Sequence, residues 1–160
     1  MTIEPVCDMQ IIKNIITNPE IWKLATEGDV DPESYQPLFD NQCCWLVAID
    51  NNEIAGLIFI HNDNAKSIKF HPYLLPKFKG NGVKFIKSFL TWSVINLQKI
   101  EKVIITLPAC YKRQFKLAKS IGFIEEGINR LSYFKDGVMI DQYNLGLTRE
   151  EIKGVIKWDL

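Results

Sequence analysis

The chain has 160 residues, of which 47% are hydrophobic, and its formal net charge at pH 7 is zero. This length and composition predict a single domain over residues 1–160, with a core that needs no disulfide or metal to stabilise it. A neutral chain has no overall field to attract nucleic acid, and no apolar run approaches the ~20 residues of a membrane span, so we expect neither as a partner.

The four cysteines are expected to be free thiols in the core. Cys7, Cys43, Cys44 and Cys110 show no paired spacing, and neighbouring residues of a strand point to opposite faces. The N-terminus has neither the charged nor the apolar region of a signal peptide. These features predict a reducing compartment, the cytoplasm. No metal site is expected, because the two histidines are separated in sequence and lie near no cysteine.

The first part of the chain predicts a strand followed by two helices. Residues 2–7 fit a short strand, and Asp8 fits the N-cap of an isoleucine-rich helix. Asn18 and Pro19 begin a second helical segment, since proline suits a first helical position. The polar segment 27–42 predicts a long loop, which in a compact domain often carries function.

An antiparallel meander of three strands is predicted next. Residues 43–50 and 53–61 fit strands joined by a tight turn at 51–52, and residues 67–75 fit the third strand. Pro72 cannot donate to a sheet ladder, so we expect a bulge or an interruption there.

A glycine loop and a long helix follow the third strand. Gly80 and Gly82 allow the backbone to approach a ligand closely, and segment 83–97 predicts a largely buried helix. The first N–H groups of a helix lack intrahelical partners and, with the helix dipole, favour an anion such as a phosphate. Three lysines add positive charge: Lys77, Lys79 and Lys84. The alternative is that these lysines form only a solvated rim.

The remaining residues predict one right-handed crossover and a final hairpin. Residues 102–107 fit a buried strand parallel to the third strand, and 111–121 fit a basic amphipathic helix ended by Gly122. The elements expected after it are strands 123–134 and 138–147, then a helix opened by a capping box of Thr148 and Glu151.

Two motifs resemble those of the GCN5-related N-acetyltransferase (GNAT) superfamily. Residues 79–84, which follow Pro76 and read Lys-Gly-Asn-Gly-Val-Lys, are similar to the family's Arg/Gln-x-x-Gly-x-Gly/Ala signature. Residues 117–127, with Gly-Phe-Ile-Glu-Glu-Gly at their end, are similar to its second conserved stretch. The order of elements resembles the family from about Cys7 to Glu151. The hairpin around 136–141 resembles the branch that modifies ribosomal-protein N-termini and related amines.

The resemblance implies a mixed α/β fold, the acyl-CoA N-acyltransferase fold. This fold has a central, mostly antiparallel sheet of six to seven strands, a parallel splayed pair, and helices on both faces. It implies acetyl-CoA as the co-substrate and direct attack of an amine on the acetyl thioester. The acceptor would be a primary amine of a small molecule or of a protein. A homodimer is left open.

The resemblance also assigns roles to the glycine loop and its neighbours. Backbone N–H groups near Leu74 and Leu75 would hold the pantetheine and polarise the acetyl carbonyl, as an oxyanion site does. Arg113 would contact the 3′-phosphate, although Lys112, Arg113, Lys116 and Lys119 also fit a solvated basic face. The amides expected to hold the pyrophosphate are those of Lys79, Gly80, Asn81, Gly82, Val83 and Lys84.

Acid and base candidates follow from position. His71 is the first choice for the base, since an unperturbed pKa of about 6.5 suits proton transfer from an amine. His61 is the second, and the alternative for both is a histidine hydrogen-bonded at a strand edge. Tyr111 is the candidate acid for the leaving thiolate, with simple packing as the alternative. Cys110 fits a buried structural thiol better than a nucleophile, because no positioned histidine accompanies it.

Three positions depart from the family pattern. Tyr111 stands where the family often has asparagine, Ala118 where it often has the tyrosine acid, and Lys84 where it has a small residue. These departures motivate an alternative function: a binding, structural or virion-associated protein that has kept the fold and lost the reaction. A phage-encoded member of the family would suit such a role. Room beside Ala118 suggests a longer acyl group as a third alternative. The acceptor side is assigned by position alone to the 27–42 loop, with Tyr35 and Asp40.

Overall fold

A computed structural model of the chain describes residues 1–28 and 30–157. Its seven strands form one sheet in the order β1-β2-β3-β4-β5-β7-β6. The strands are β1 Thr2–Pro5, β2 Cys43–Asp50, β3 Glu53–Asn64, β4 Ser67–Leu74, β5 Lys102–Pro108, β6 Ile124–Lys135 and β7 Val138–Thr148. The helices are α1 Met9–Ile16, α2 Pro19–Ala25, α3 Gly82–Asn96, α4 Lys112–Ile121 and α5 Arg149–Ile156, with short 3-10 helices at Pro32–Ser34 and Pro76–Phe78.

The two N-terminal helices begin where the sequence predicts. The Asp8 carboxylate accepts hydrogen bonds from the N–H groups of Gln10 and Ile11 at 2.9 and 3.0 Å, which caps α1. Asn18 caps α2 in the same way, with Pro19 as the first helical residue. Both helices pack on one face of the sheet, against a cluster built around Trp45, Val47 and Leu57.

The opposite face of the sheet carries α3 and α5 over the larger core. Phe70 of β4 stacks on Phe89 of α3 with ring centroids 4.7 Å apart, and Phe123 lies beside them. The start of α5 is stabilised by the expected capping box, in which the Glu151 carboxylate accepts from the Thr148 N–H at 2.8 Å. None of the described helices is long and apolar enough to cross a membrane.

Pro72 does not interrupt β4, so the prediction of a bulge there is wrong. The β3–β4 register is continuous through the Ile58 and Pro72 pair, and it shifts only between Asn62 and Asn64. The Leu75 N–H donates to Ala55 of the neighbouring chain segment. Because N–H direction alternates along a strand, the nitrogen of Pro72 faces away from β3. A missing donor costs nothing on that side, since β4 has no strand partner there.

The parallel pair of the sheet is splayed, as expected. Strands β4 and β5 pair only from Ser67–Lys69 to Lys102–Ile104. Beyond that point β4 continues along β3 to Leu74, while β5 continues along β7 to Pro108. The sheet therefore opens between the carboxyl ends of its two central strands, and main-chain groups on both sides of the gap lack a sheet partner.

Candidate functional site

The gap between β4 and β5 is the floor of a cleft of about 750 Å³. Helices α2, α3 and α4 contribute to its walls, together with Tyr133 of β6. The predicted site residues that line it are His71, Leu74, Lys79, Gly80, Gly82, Val83, Tyr111 and Arg113. The sheet opening, the glycine loop and the basic helix thus meet at one place, although they are spread over the middle of the chain.

Two of the amides expected to bind an anion are already used by the loop itself. The Lys79 N–H donates to the Pro76 carbonyl at 3.1 Å, and the Asn81 N–H donates to the Phe78 carbonyl at 3.0 Å. These bonds belong to the turn that leads from β4 into α3. The prediction that Lys79 and Asn81 offer their amides to a ligand therefore does not fit this structure.

The other four amides of the loop remain open. Helix α3 begins at Gly82, and Asn81 makes no side-chain cap to it. Gly80 has φ of +104°, a conformation that favours glycine. Within the described residues no group accepts a hydrogen bond from the N–H of Gly80, Gly82, Val83 or Lys84. Gly80, Gly82 and Val83 line the cleft, so the start of α3 presents uncapped donors there, which is the arrangement that binds phosphate groups.

The lysine side chains around the loop are engaged by carboxylates, although Lys79 also lines the cleft. The Lys84 ammonium lies 2.7 Å from the Asp50 carboxylate, which is largely buried. Lys79 pairs with Glu20 and Lys77 pairs with Glu53. The idea that the Lys84 side chain turns to a phosphate is therefore not supported, although its main-chain amide stays among the open donors.

The two leucines expected to contact an acyl thioester differ in their main-chain geometry. The Leu75 N–H donates to the Ala55 carbonyl at 2.9 Å, so it is part of the β3 contact and does not fit the predicted role. Along the strand the preceding amide points to the opposite side, toward the gap. Leu74 is thus the residue whose N–H can serve as an oxyanion donor.

The two histidines form a contacting pair on the face of the sheet that carries α1 and α2. Their Nε2 atoms are 3.2 Å apart, and the rings stack with centroids 5.3 Å apart at 17°. His71 lines the cleft. The pKa of His71 is lowered to about 4, mainly by burial of the ring and to a lesser extent by the positive potential of His61 and Lys69. The ring is therefore neutral at pH 7 and a weaker base than its unperturbed value implies.

Two tyrosines bridge the cleft mouth to the end of α2. The Tyr111 hydroxyl donates to the Leu24 carbonyl at 3.2 Å, and the Tyr133 hydroxyl donates to the Thr26 carbonyl at 3.1 Å. Burial raises the pKa of both phenols, so both are proton donors at neutral pH. Sequence reasoning missed Tyr133, because a register irregularity between Asn129 and Tyr133 sets which of its neighbours face inward.

The remaining candidates are the basic residues of α4 and Cys110. Arg113 lines the cleft, whereas Lys112, Lys116 and Lys119 of the same helix lie outside it. Cys7 and Cys110 are exposed, so the expectation of a buried thiol is wrong for both.

Of the 27–42 loop proposed for the acceptor side, Glu27 lines the cleft, whereas Tyr35 and Asp40 lie outside the lining. Tyr35 packs edge-on against Trp22, and Asp40 accepts from the Gln42 N–H. No group of three histidine, cysteine or acidic side chains that could hold a metal occurs in the described residues.

Comparisons with known proteins place the fold. No protein-family model matches the sequence, and no curated protein matches it. Among solved structures, a spermidine N-acetyltransferase of Vibrio cholerae in complex with CoA and spermine superposes with a TM-score of 0.78 at 19% identity, covering 95% of this chain and 97% of that one. A chimera of the Vibrio cholerae enzyme SpeG and hSSAT gives a TM-score of 0.77 at 20% identity, covering 96% and 99%. The chain therefore has the GNAT fold that the sequence predicts, with its mostly antiparallel sheet, parallel splayed pair and helices on both faces.

Proposed function

We propose that this chain is an acetyl-CoA-dependent N-acetyltransferase that acts on a primary amine. The observation that carries the proposal is the set of open amides at the start of α3, which line a cleft between two diverging parallel strands. An uncapped helix start binds a diphosphate well, and β4 beyond Lys69 has main-chain groups on the side of the gap that are not paired with β5 and could contact a pantetheine arm.

In this proposal the co-substrate is held mainly by main-chain groups. The N–H groups of Gly80, Gly82, Val83 and Lys84 would bind the pyrophosphate, and Arg113 would bind the 3′-phosphate. The Leu74 N–H would donate to the acetyl carbonyl, where negative charge develops as the amine attacks.

The reaction needs one proton removed from the acceptor and one given to the leaving group. The acceptor ammonium first loses a proton toward His71, and its nitrogen then forms a bond to the acetyl carbon. As the carbon–sulfur bond breaks, the CoA thiolate takes a proton from the Tyr111 hydroxyl. The Tyr111 phenolate is then reprotonated by the proton that the nitrogen of the new amide loses. The products are an N-acetyl amine, CoA thiol and one proton released to water.

The acceptor is proposed only as a class, a small-molecule or protein amine. The solved enzyme with this fold binds spermine, a polyamine. Glu27 is the one carboxylate among the described residues that line the cleft of this chain. An acceptor with a single cationic amine next to an apolar group fits this lining better than a long polycation.

A cytoplasmic site of action is part of the proposal. It is supported by the four cysteines, all of which are free thiols.

The test combines binding and turnover. The melting temperature is measured with and without acetyl-CoA, since a ligand at 100 times its dissociation constant stabilises by about 2.7 kcal/mol. Release of CoA thiol is then followed with a panel containing spermidine, spermine, a lysine derivative, a peptide α-amine and a phenylalkyl amine. Tyr111→Phe, beside Tyr133→Phe as a matched control, should lower turnover and leave the melting shift in place. Absence of any shift would overturn the proposal.

A second candidate function is a binding protein that has lost the reaction. It is favoured by Ala118, a buried residue at the position where the family carries its acid, and by the lowered pKa of His71. A full melting shift without thiol release from any amine in the panel would support it. A shift with propionyl- or butyryl-CoA and faster thiol release than with acetyl-CoA would instead support a longer acyl donor.

A further inference from the structure

The hydrogen bonds of the histidine pair fix which nitrogen carries each proton. His61 Nδ1 lies 3.3 Å from the carbonyl oxygen of Asn62, which can only accept a hydrogen bond. His61 Nδ1 therefore carries its proton, and in the neutral ring Nε2 has the lone pair. His71 Nε2, 3.2 Å away, must then be the donor, which leaves the lone pair of His71 on Nδ1.

This tautomer pattern forms a directed chain of proton positions. His71 lines the cleft and has its lone pair on Nδ1, so a proton from the cleft would be accepted at that atom, and the His71 Nε2–H already points at the His61 lone pair. His61 is outside the cleft lining, and its bond to Asn62 is in an exposed setting. Burial disfavours a positive charge on the His71 ring.

We propose that His61 and His71 act together as a proton relay from the cleft to the surface. The inference rests on the proposed N-acetyltransferase function. The acceptor ammonium gives its proton to His71 Nδ1, and His71 Nε2 passes a proton to His61 Nε2. His61 then loses its Nδ1 proton to water, which leaves each ring in its other tautomer. After the products leave, His71 Nδ1 gives its proton to water in the cleft, the proton between the rings returns to His71 Nε2, and His61 Nδ1 takes one proton from water. No oxidant or further reactant is needed, and the net change is one proton released to solvent.

The charged groups around the pair set the conditions under which the relay operates. In register, Lys69 of β4 lies opposite His61 on one side, and Cys43 of β2 lies opposite it on the other. The Lys69 ammonium is 3.1 Å from the Asp63 carboxylate, and that contact, above all, lowers the pKa of Asp63. Asp40 lies beside Cys43, and burial raises the pKa of that thiol. The ion pair of Lys69 with Asp63 is thus formed at neutral pH, and its opposite charges largely offset each other at His61.

The aromatic ring of Phe59 supports the arrangement without taking part in proton transfer. It lies 5.8 Å from the His61 ring and 5.9 Å from the His71 ring. A change at Phe59 therefore disturbs packing beside both histidines and removes no proton-carrying atom.

The experiment compares His61→Gln, His61→Ala and Phe59→Leu. A glutamine oxygen can accept the His71 hydrogen bond and hold the ring, but it cannot take up the proton. CoA release is measured from pH 6 to 9, with a peptide α-amine whose pKa is about 8 as acceptor. We expect kcat at pH 7 to fall at least tenfold in both His61 variants, with the Michaelis constant for acetyl-CoA unchanged. The deficit should shrink above pH 8, where the acceptor is already a free base, and imidazole should restore part of the activity of His61→Ala.

The outcomes separate the relay from the proposed function. If the wild-type chain releases CoA and His61→Gln keeps its kcat at pH 7, the relay is wrong and the N-acetyltransferase function stands. If the wild-type chain releases no CoA with any amine, both are wrong. Phe59→Leu should retain the wild-type pH profile. If kcat at pH 7 falls as much in Phe59→Leu as in the His61 variants, the loss is an effect of packing and the relay is wrong. Imidazole 15N shifts that put the His71 proton on Nδ1 at pH 7 would also overturn the relay.

Discussion

The Nζ atom of Lys84 lies 2.7 Å from Oδ1 of Asp50, and this pair joins the start of α3 to the end of β2. Asp50 is only 8% exposed, so its carboxylate depends on this partner for compensation. The lysine side chain is held by Asp50, and the main-chain N–H of the same residue has no acceptor among the described residues. Lys84 is a large residue at a position where the GNAT motif has a small one, and its pairing with Asp50 keeps its side chain from filling the cleft.

Replacing Lys84 by methionine should destabilise the protein and leave co-substrate binding intact. The change leaves the buried Asp50 carboxylate without its ion pair, and we expect a loss of about 1–2 kcal/mol in the free energy of unfolding. Urea denaturation measures it. Lys153→Met is the matched control, because Lys153 pairs with the exposed Glu150 and such pairs contribute little. A tenfold weaker acetyl-CoA affinity in Lys84→Met would mean that this ammonium does reach a phosphate.

Replacing Gly82 by leucine should remove the acetyl-CoA-dependent melting shift. A Cβ atom at Gly82 would lie 2.9 Å from Cδ2 of Leu117, so a larger side chain must occupy the cleft beside the open amides. Gly82 has an ordinary helical backbone, and leucine favours a helix by up to ~1 kcal/mol over glycine, so the unliganded fold should persist. Gly154→Leu in α5, where a Cβ meets nothing within 4 Å, should keep the full shift. Normal binding by Gly82→Leu would show that the loop is not the phosphate site.

The elements that the sequence predicted are those with local signals. Asn51 and Asn52 have φ of 50° and 63°, as the tight turn between two strands requires. Asp8 and the pair of Thr148 with Glu151 cap their helices through residues no more than three positions away. Such contacts depend on neighbouring residues alone, so a pattern in the sequence is enough to find them.

The parts that were missed depend on pairing between distant segments. Nothing near Lys84 of α3 indicates that Asp50, at the end of β2, is its partner. Two histidines were recognised as candidates, but their contact depends on a β3–β4 register that places His61 diagonal to His71. The open side of β4 likewise depends on where its ladder to β5 ends, and this is why Pro72 is tolerated there.

Replacing Arg113 by alanine should reduce the preference for CoA over 3′-dephospho-CoA. Arg113 is the basic residue of α4 that lines the cleft, and a guanidinium binds a phosphate through paired hydrogen bonds. We expect the affinity for CoA to fall about tenfold, which corresponds to ~1.4 kcal/mol, with little change for the dephospho form. Isothermal titration with both ligands measures the ratio. Lys116→Ala, on the same helix outside the cleft, should keep the wild-type preference, and a preference unchanged in Arg113→Ala would contradict the assignment.

The burial of His71 should make the free energy of unfolding depend on pH in acid. Its pKa is lowered to about 4 in the folded chain, against about 6.5 when unfolded, so the unfolded state binds the proton more readily. Stability from this group is complete above pH 6.5, falls as pH drops from 6.5 toward 4, and changes no further below that range. The full effect is on the order of 3 kcal/mol. Urea denaturation at pH 7.5, 6, 5 and 4 should show that His71→Gln loses less stability than the wild type over this window. If the free energy of unfolding depends on pH equally in both proteins, His71 is hydrated in the folded state. Burial would then no longer favour moving the positive charge from His71 to His61.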